Sequence, residues 1–535
     1  MGSFLADNIR LIVHLRKRHH QDNMLGLCLG AGVSADFFFP SWYELIKRIA
    51  ERPEIKGEGL LSMSESLTSK SQFLFHKYRQ NLVREGHTTG DEIIDSRQAA
   101  LGWLQIVHAC LYRDAIVGET EMEAHPYLWA LIPLIKQAAM TVNYNFDDTV
   151  ERMIYIYNTK IGESSDDRGF EIVWQPSAQF RRHKGVIYHP NGFLPHRTSD
   201  GFSEEIIFME QEFADQLIDI GAGHYSCLLN HMSKNTILFL GLSMGDTTLK
   251  HLLRVSARNN PGHFHYHIHW CEKEKPPAEE QAAIRQANFS VYNLVTLFLT
   301  TDEIKTLSRL IVADQESFEC ACDEEPKGVK TDYRYYLTGP VGAGKTTVLE
   351  QIRCLDSFDE WVDRKHPLLA KPQEELEPNE RKEVDTWINQ QFRKKNRRIS
   401  QAAKSLMLID RCPVDPLYFT IDDVATRSRA SELLEWMVPR ESSIQKIAPG
   451  YLVILDCDVS MLKSRLASRN KRYTDNQVAS NRDRVFSFWK DYPDPMTIDT
   501  TKMTVAQVVK RILQIVLFDE YCEIEFQDVC ESKTN

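Results

Sequence analysis

The sequence predicts an α/β protein in two parts, each organised as a doubly wound parallel sheet. Three observations carry this prediction. Short apolar runs alternate with helical stretches along most of the chain, the pattern of repeated βαβ units. Two of the runs end in turns rich in small residues, Gly30-Ala31-Gly32-Val33-Ser34 and Gly339-Pro340-Val341-Gly342-Ala343-Gly344-Lys345-Thr346. Between them lies an acidic stretch, 316–330, poor in large apolar residues and carrying Pro326 and Gly328, which reads as a linker. The expected domains are 1–315 and 331–525, with 526–535 as a tail.

In chain order, residues 8–20 form a helix with Ile9, Ile12 and Val13 on one side. A strand at 25–29 runs into the first small-residue turn, and a helix follows at 42–50. Residues 56–117 read as mostly helical, an insertion or lid layer without a chemical motif. Strands resume at 140–144, 185–189, 235–242, 264–271 and 291–299. The run at 235–242, NTILFLGL, is continuous, as expected of a parallel strand covered on both faces. Beyond the linker, strands are expected at 333–337, 405–409 and 451–455, with helices at 346–353 and across the charged stretch 374–398.

Composition narrows the function classes. The chain has 535 residues, enough for several domains at about 150 residues each. Its formal charge of −11 gives no general attraction to nucleic acid, and no nucleic-acid partner is expected. The eleven cysteines include no C-x-x-C pair, so zinc knuckles, and zinc itself, are not expected. The first residues contain neither a membrane-length apolar run nor a cleavage signature, so a cytoplasmic protein without a membrane partner is expected.

Three later segments stand with the first turn. Asn145 and Asp147 alternate with apolar residues at a strand end, in N-F-D followed by Asp148 and Glu151. Tyr188-His189-Pro190-Asn191-Gly192 follows another strand, and Gly241-Leu242-Ser243-Met244-Gly245-Asp246 follows the strand at 235–242. Strand ends are where open α/β sheets bind ligands, and glycine lets a backbone approach a pyrophosphate. Taken singly, each segment reads equally as a turn, a cap or a structural histidine. Their order and common position at strand exits argue for a site.

This ordered set resembles the SIR2-like, sirtuin-related NAD-cleaving family, over most of residues 20–300. The resemblance implies a Rossmann-like SIR2 domain, with NAD as the substrate. It implies NAD contacts at Gly30, Ala31, Gly32, Ser34, Pro40, Trp42, Asn191, Gly192, Gly241, Ser243 and Asp246. It also implies catalytic roles for Asn145, His189 and Asp147. A neutral Asn145 can orient a water, a neutral His189 can accept a proton, and Asp147 holds a ribose hydroxyl or orders the loop. Two departures stand out. Phe38 occupies a position where the family has glycine, and a bulky ring there is expected to gate the nicotinamide side. Asn191 stands where the family's histidine directly precedes glycine, which makes His189 the candidate base. Without C-x-x-C pairs, water rather than an acyl-lysine is the expected acceptor. Related domains without the zinc ribbon deplete NAD in bacterial anti-phage defence, so the resemblance implies a defence effector with a phage-derived trigger.

The second turn matches G-x-x-x-x-G-K-[ST] in full and sits between an expected strand and helix, as a phosphate cradle requires. Gly339, Gly342, Gly344, Lys345, Thr346 and Thr347 are the expected nucleotide contacts, for ATP or a dNTP, and Thr346 and Asp410 the Mg²⁺ ligands. Asp410-Arg411 after the strand at 405–409 resembles the thymidylate and deoxynucleoside kinase group of P-loop kinases. A basic stretch with Lys463, Arg465, Arg469, Lys471 and Arg472 resembles their lid, which places Arg465 and Arg469 at the nucleotide. Asp359 and Glu360 are alternatives for the carboxylate near the acceptor. Four alternating histidines, His263, His265, His267 and His269, share one strand face; a polar or edge face accounts for them better than a metal site.

The combined expectation is an NAD⁺ hydrolase regulated by a nucleotide-binding, kinase-like domain, in a homo-oligomer. The alternatives are a nucleotide kinase with a non-catalytic NAD- or ADP-ribose-binding regulator, and a scaffold with two inactive pockets.

Overall fold

The computed structural model describes residues 4–534 except 163–168, 176–179, 199–200, 219–222, 246, 327, 371–375, 421–422, 438–446, 470–472, 491 and 493–494. The chain divides into two compact units. One comprises 15–259 and 264–319. The other, the P-loop unit, comprises 1–14, 260–263 and 320–535.

The first unit is built on a seven-stranded sheet: β1 (Leu25–Leu29), β2 (Thr141–Asn143), β3 (Glu171–Val173), β4 (Val186–Tyr188), β5 (Thr236–Leu240), β6 (His265–Trp270) and β7 (Leu294–Leu299). The order is β3-β4-β2-β1-β5-β6-β7, and every pairing is parallel. Apart from the extra edge strand β3, this is the 3-2-1-4-5-6 order of the Rossmann fold. Strand order reverses between β1 and β5, which pair over their whole length from Leu25↔Thr236 to Leu29↔Leu240. Both strands are buried throughout, which is why their sequences are unbroken apolar runs. A core of Cys28, Val142, Tyr188, Ile237, Phe239 and Leu252 packs on this sheet. Residues 56–117 supply the helices Leu67–Arg84 and Glu92–Tyr112.

The P-loop unit carries a five-stranded parallel sheet of β8 (Tyr333–Thr338), β9 (Asp356–Phe358), β10 (Leu406–Asp410), β11 (Tyr451–Asp456) and β12 (Met496–Asp499), in the order β12-β11-β8-β10-β9. The strand that leads into the P-loop is therefore the central one. Helix Pro378–Gln401 presents Phe392 and Ile399 to a core with Tyr336, Ile409 and Trp489.

The chain divides differently from the sequence reading at three places. Residues 315–323, placed in or beside the linker, form the helix Gln315–Asp323. The expected tail forms the helix Phe526–Thr534, whose Phe526 is fully buried on Tyr336 and Trp489. Residues 1–14 group with the P-loop unit: Arg10 donates to the Tyr335 hydroxyl (3.2 Å) and the Val516 carbonyl (3.0 Å). The strand of alternating histidines, β6, is an inner strand and not an edge. His265 accepts from the Ile237 amide and His267 bonds to the Leu242 carbonyl. Among the described residues no cluster of His, Cys, Asp and Glu could hold a metal, and no helix is long and apolar enough to cross a membrane.

Candidate functional site

At the β1/β5 switch point two glycine turns pack backbone against backbone. Gly30 N–H donates to the Leu240 carbonyl (3.0 Å) and Gly32 N–H to the Gly241 carbonyl (2.9 Å). A Cβ on Gly30 would lie 2.6 Å from the Gly241 carbonyl oxygen, and one on Gly241, at φ +69°, 2.7 Å from the Val33 nitrogen. The glycines are thus required first by the close approach of the two loops, and this leaves Ala31 and Gly32 exposed at the rim. Ser243 is also exposed and accepts from the Gly245 amide. Asp246 lies outside the described residues.

Asn145 is held against this turn. Its Nδ2 donates to the Gly30 carbonyl (3.0 Å) and Ser34 Oγ (3.2 Å). Ser34 donates in turn to Asp147 Oδ1 (3.1 Å), which also accepts from the Thr149 amide (3.0 Å). Burial pushes the Asp147 carboxyl up to about 6. Ser34, Asn145 and Asp147 thus form one buried chain that the sequence had grouped only by resemblance.

His189 occupies a different position from that of an exposed base. It is fully buried; Nδ1 bonds to the Asn145 carbonyl (2.9 Å) and Nε2 to Glu151 Oε1 (2.8 Å). Burial alone would lower its pKa, but Glu151, the Asn145 carbonyl and Asp147 together raise it, and both ring nitrogens face oxygen acceptors, which locks the ring in place. Glu151 Oε2 is buried without a hydrogen-bond partner among the described residues. The sequence reading passed through Glu151 without a role for it. Its signal is a carboxylate in the first turn of Thr149–Ile161, on that helix's buried face.

Asn191 follows on the same loop, with Nδ2 donating to the Tyr144 carbonyl (3.3 Å). Gly192, at φ +105°, passes the Ile206 backbone, where a Cβ would meet the Glu205 carbonyl oxygen at 3.1 Å. Pro40 leads into Ser41, which caps helix Trp42–Ala50 by accepting from the Glu44 amide. Trp42 stacks on Phe208 (5.5 Å, 28°), and its buried indole N–H has no partner among the described residues. Phe38 adopts a left-handed backbone, φ +60°, and the residue is 62% exposed. The glycine expected there is thus explained by backbone conformation, and the ring points to solvent.

In the P-loop unit the motif forms as expected. Gly339, Gly342 and Gly344 have φ of +136°, +90° and +100°, and a Cβ on Gly339 would lie 2.2 Å from the Leu455 carbonyl oxygen. Lys345 Nζ donates to the carbonyls of Gly339 (2.8 Å) and Pro340 (3.1 Å). Burial, aided by Arg411, lowers its pKa to about 8. Thr346 Oγ1 donates to Asp410 Oδ2 (2.9 Å). Asp410 Oδ1 is buried without a partner among the described residues, and burial raises the pKa of this carboxyl. A hydroxyl beside an orphaned carboxylate oxygen is a hard oxygen donor set that fits Mg²⁺.

Arg411, at φ +66°, pairs with Glu360 (2.6 Å) and Asp415 (3.2 Å). Of the two sequence alternatives it is therefore Glu360, not Asp359, that reaches this cluster. Burial would raise the Glu360 carboxyl, but Arg411, Lys345 and Lys395 outweigh it and lower it. Asp415 also accepts from Thr338 Oγ1 (2.9 Å). Lys395 donates to the Asp410 carbonyl, and burial lowers its pKa to about 8. The sequence reading left Lys395 within a solvated charged run. It stands three residues after Phe392 and four before Ile399, on the buried face of its helix.

Arg465 donates to Thr500 Oγ1 and carbonyl (both 3.1 Å) and to the Ala343 carbonyl (3.4 Å). Arg469 donates to Thr347 Oγ1 (3.0 Å). Both thus reach the P-loop region from helix Val459–Ala467 and its end. Lys471 and Arg472 lie outside the described residues. Arg482 forms a two-bond ion pair with Asp456 (2.8 and 2.6 Å).

Residues 139–292 match the family model described as a SIR2-like domain. The first unit carries a SIR2-like domain. The matched stretch contains Asn145, Asp147, His189, Asn191, Gly241 and Ser243 and begins after the Gly30 turn. No curated protein matches the chain. Among solved structures, the chain is similar to shikimate kinase from Acinetobacter baumannii in complex with shikimate, at 18% identity over 36% of this chain and 96% of that one, with a TM-score of 0.23. It is also similar to deoxyadenosine kinase from M. mycoides with bound dCTP, at 14% identity over 34% and 98%, with a TM-score of 0.24.

Proposed function

We propose that the SIR2-like unit cleaves NAD⁺ to nicotinamide and ADP-ribose, and that the P-loop unit binds a nucleoside triphosphate with Mg²⁺ and regulates that cleavage. The observation that carries the first part is the chain from the Gly30 carbonyl through Asn145 and Ser34 to Asp147, set at the β1/β5 switch point. Loss of nicotinamide from ribose develops positive charge on the sugar, and nicotinamide leaves without a strong acid. Placed polarity is therefore the main requirement. Asn145 orients the sugar or the attacking water, and Asp147 lies one hydrogen bond behind Ser34. His189, with both nitrogens engaged, acts by holding the Asn145 backbone and not as a base. The NAD contacts proposed for Ala31, Gly32 and Ser243 rest on their exposure at the rim.

For the P-loop unit, Lys345 would meet the β- and γ-phosphates, Thr346 and Asp410 the Mg²⁺, and Arg465 and Arg469 the phosphate charge from the opposite side. Regulation requires that nucleotide bind the two states of the protein with different affinity. A role as a cytoplasmic defence effector, in a homo-oligomer with a phage-derived trigger, belongs to this same proposal.

The locked state of His189, with Asn191 at the family's histidine position, favours a second reading. There the P-loop unit is the enzyme, a nucleotide kinase with Glu360 near the acceptor, and the SIR2-like unit binds NAD or ADP-ribose without cleaving it. Incubating the purified chain with NAD⁺, with and without ATP and deoxynucleoside monophosphates, separates the two. Nicotinamide release supports the first reading, and phosphoryl transfer alone supports the second. Equal NAD cleavage across all nucleotides would remove the regulatory part.

A further inference from the structure

A cavity of about 670 Å³ opens beside the loop that follows β4, with Asn191 and Gly192 in its wall. Such a volume accommodates a small ligand. Its charge is one-sided. Glu204, Glu205, Glu212 and Asp215 line it, and none of its described lining residues is Lys or Arg. His224, also in the wall, bonds to the Tyr188 hydroxyl (2.6 Å), and burial lowers it to about 4, so it adds no positive charge at neutral pH. A pyrophosphate would be repelled here.

Two further features define the occupant. Asn191 is 5% exposed, and its Nδ2 is used on the Tyr144 carbonyl. Its Oδ1 takes no hydrogen bond among the described residues, and the residue lines the cavity, so this oxygen remains available as an acceptor. Trp174, fixed by stacking on Phe193 (5.7 Å, 19°), supplies an aromatic face, which attracts cations. No group of these carboxylates is gathered tightly enough to hold a metal ion. The acids are instead distributed around a space that an extended organic cation would fill.

We infer that this cavity binds an alkylammonium group, with its carbon chain against Trp174 and its nitrogen between Asn191 Oδ1 and the acidic rim. The source is either a free polyamine or the lysine side chain of a polypeptide. The inference stands apart from the NAD-cleavage reading, because binding is measured without NAD.

The test is calorimetric titration of the full chain with spermidine, N-acetyl-lysine methylamide and the uncharged N-acetyl-norleucine methylamide. Saturable binding of at least one ammonium probe is expected, and none of the norleucine probe. Tighter binding of spermidine identifies a free polyamine, and equal or tighter binding of the lysine probe identifies a side chain. Glu212→Gln combined with Asp215→Asn should weaken the ammonium probe about tenfold, as should Asn191→Leu. Glu279→Gln with Glu280→Gln, on the exposed helix Ala278–Tyr292, should leave it unchanged. Should Asn191→Leu not fold, the carboxylate pair alone decides. Absence of saturable ammonium binding, equal binding of norleucine, or equal losses in the cavity and control pairs would overturn the inference.

Discussion

The two strand-end sites of this chain are built on the same plan and left in different electrostatic states. Both lie where a glycine turn leaves a central parallel strand, β1 in one unit and β8 in the other. In the SIR2-like unit a chain of neutral and charged groups pairs internally: Asn145 on Gly30 and Ser34, Ser34 on Asp147, and His189 between Asn145 and Glu151, whose second oxygen is buried without a partner among the described residues. In the P-loop unit charges of both signs keep unused bonding capacity. Lys345 bonds only to neutral carbonyls of its own loop, and Asp410 keeps a buried oxygen without a partner among the described residues. The first arrangement is suited to holding one neutral amide in a fixed place. The second is suited to taking up a polyanion and a divalent cation, which would complete its pairing.

The largest expected effect probes the fixed amide. Asn145→Ala should leave the fold intact and reduce nicotinamide release about 10²–10³-fold, by analogy with loss of one preorganised donor. Full activity in that variant would break the assignment of the first site. Next comes the buried pair behind it. Glu151→Ala leaves His189 Nε2 buried without its partner and should cost about 1–3 kcal/mol in chemical denaturation. A loss below about 0.5 kcal/mol, the range of surface substitutions, would show that this pair does not hold the loop.

The second site responds to charge. Lys345→Ala should weaken ATP binding about 10–100-fold, the range for a lost charge-assisted bond, read by calorimetry with Mg²⁺ present. Its lowered pKa also predicts a pH dependence. Lys345 is cationic below about 8, and bound phosphate favours the cation, so binding takes up a proton above that value. ATP affinity should be flat from pH 6 to 7 and fall above pH 8, approaching about tenfold per pH unit. A flat profile to pH 9.5 would place Lys345 away from the phosphates.

The smallest effect concerns Phe38. Relief of its left-handed backbone is worth about 1–2 kcal/mol, offset by about 0.5–1 kcal/mol for the added freedom of glycine. Phe38→Gly should therefore raise stability slightly and, with the ring already in solvent, leave basal NAD cleavage within about twofold. A large rise in basal cleavage would restore a gating role for the ring.

Much of this architecture was legible in the sequence, and what was missed falls into a pattern. The inner strands β1, β2, β4, β5, β6, β8, β10 and β11 coincide with strands expected from the sequence. The strands without a sequence signal, β3, β9 and β12, are edges that are short and half-exposed, whereas the edge strand β7 is buried throughout and was predicted. A continuous apolar run arises only where both faces are covered, so a half-exposed strand has little reason to show one. Likewise the P-loop glycines were readable because positive φ restricts residue type locally. Glu151 and Lys395 were overlooked because a charge on a helix carries no mark of burial except its register with apolar neighbours.

Local chemistry in the chain thus settled the two parallel sheets, the two glycine turns and the polar residues that follow each inner strand. These features depend on neighbours a few positions away. Long-range packing settled the rest. Residues 1–14 group with the P-loop unit because Arg10 finds Tyr335 and Val516. His189 is locked in place because Glu151 and the Asn145 carbonyl converge on its two nitrogens. Glu360 prevailed over Asp359 because it meets Arg411. In each case the state of a polar group is set by the partner that burial brings to it, and that partner lies far away in sequence.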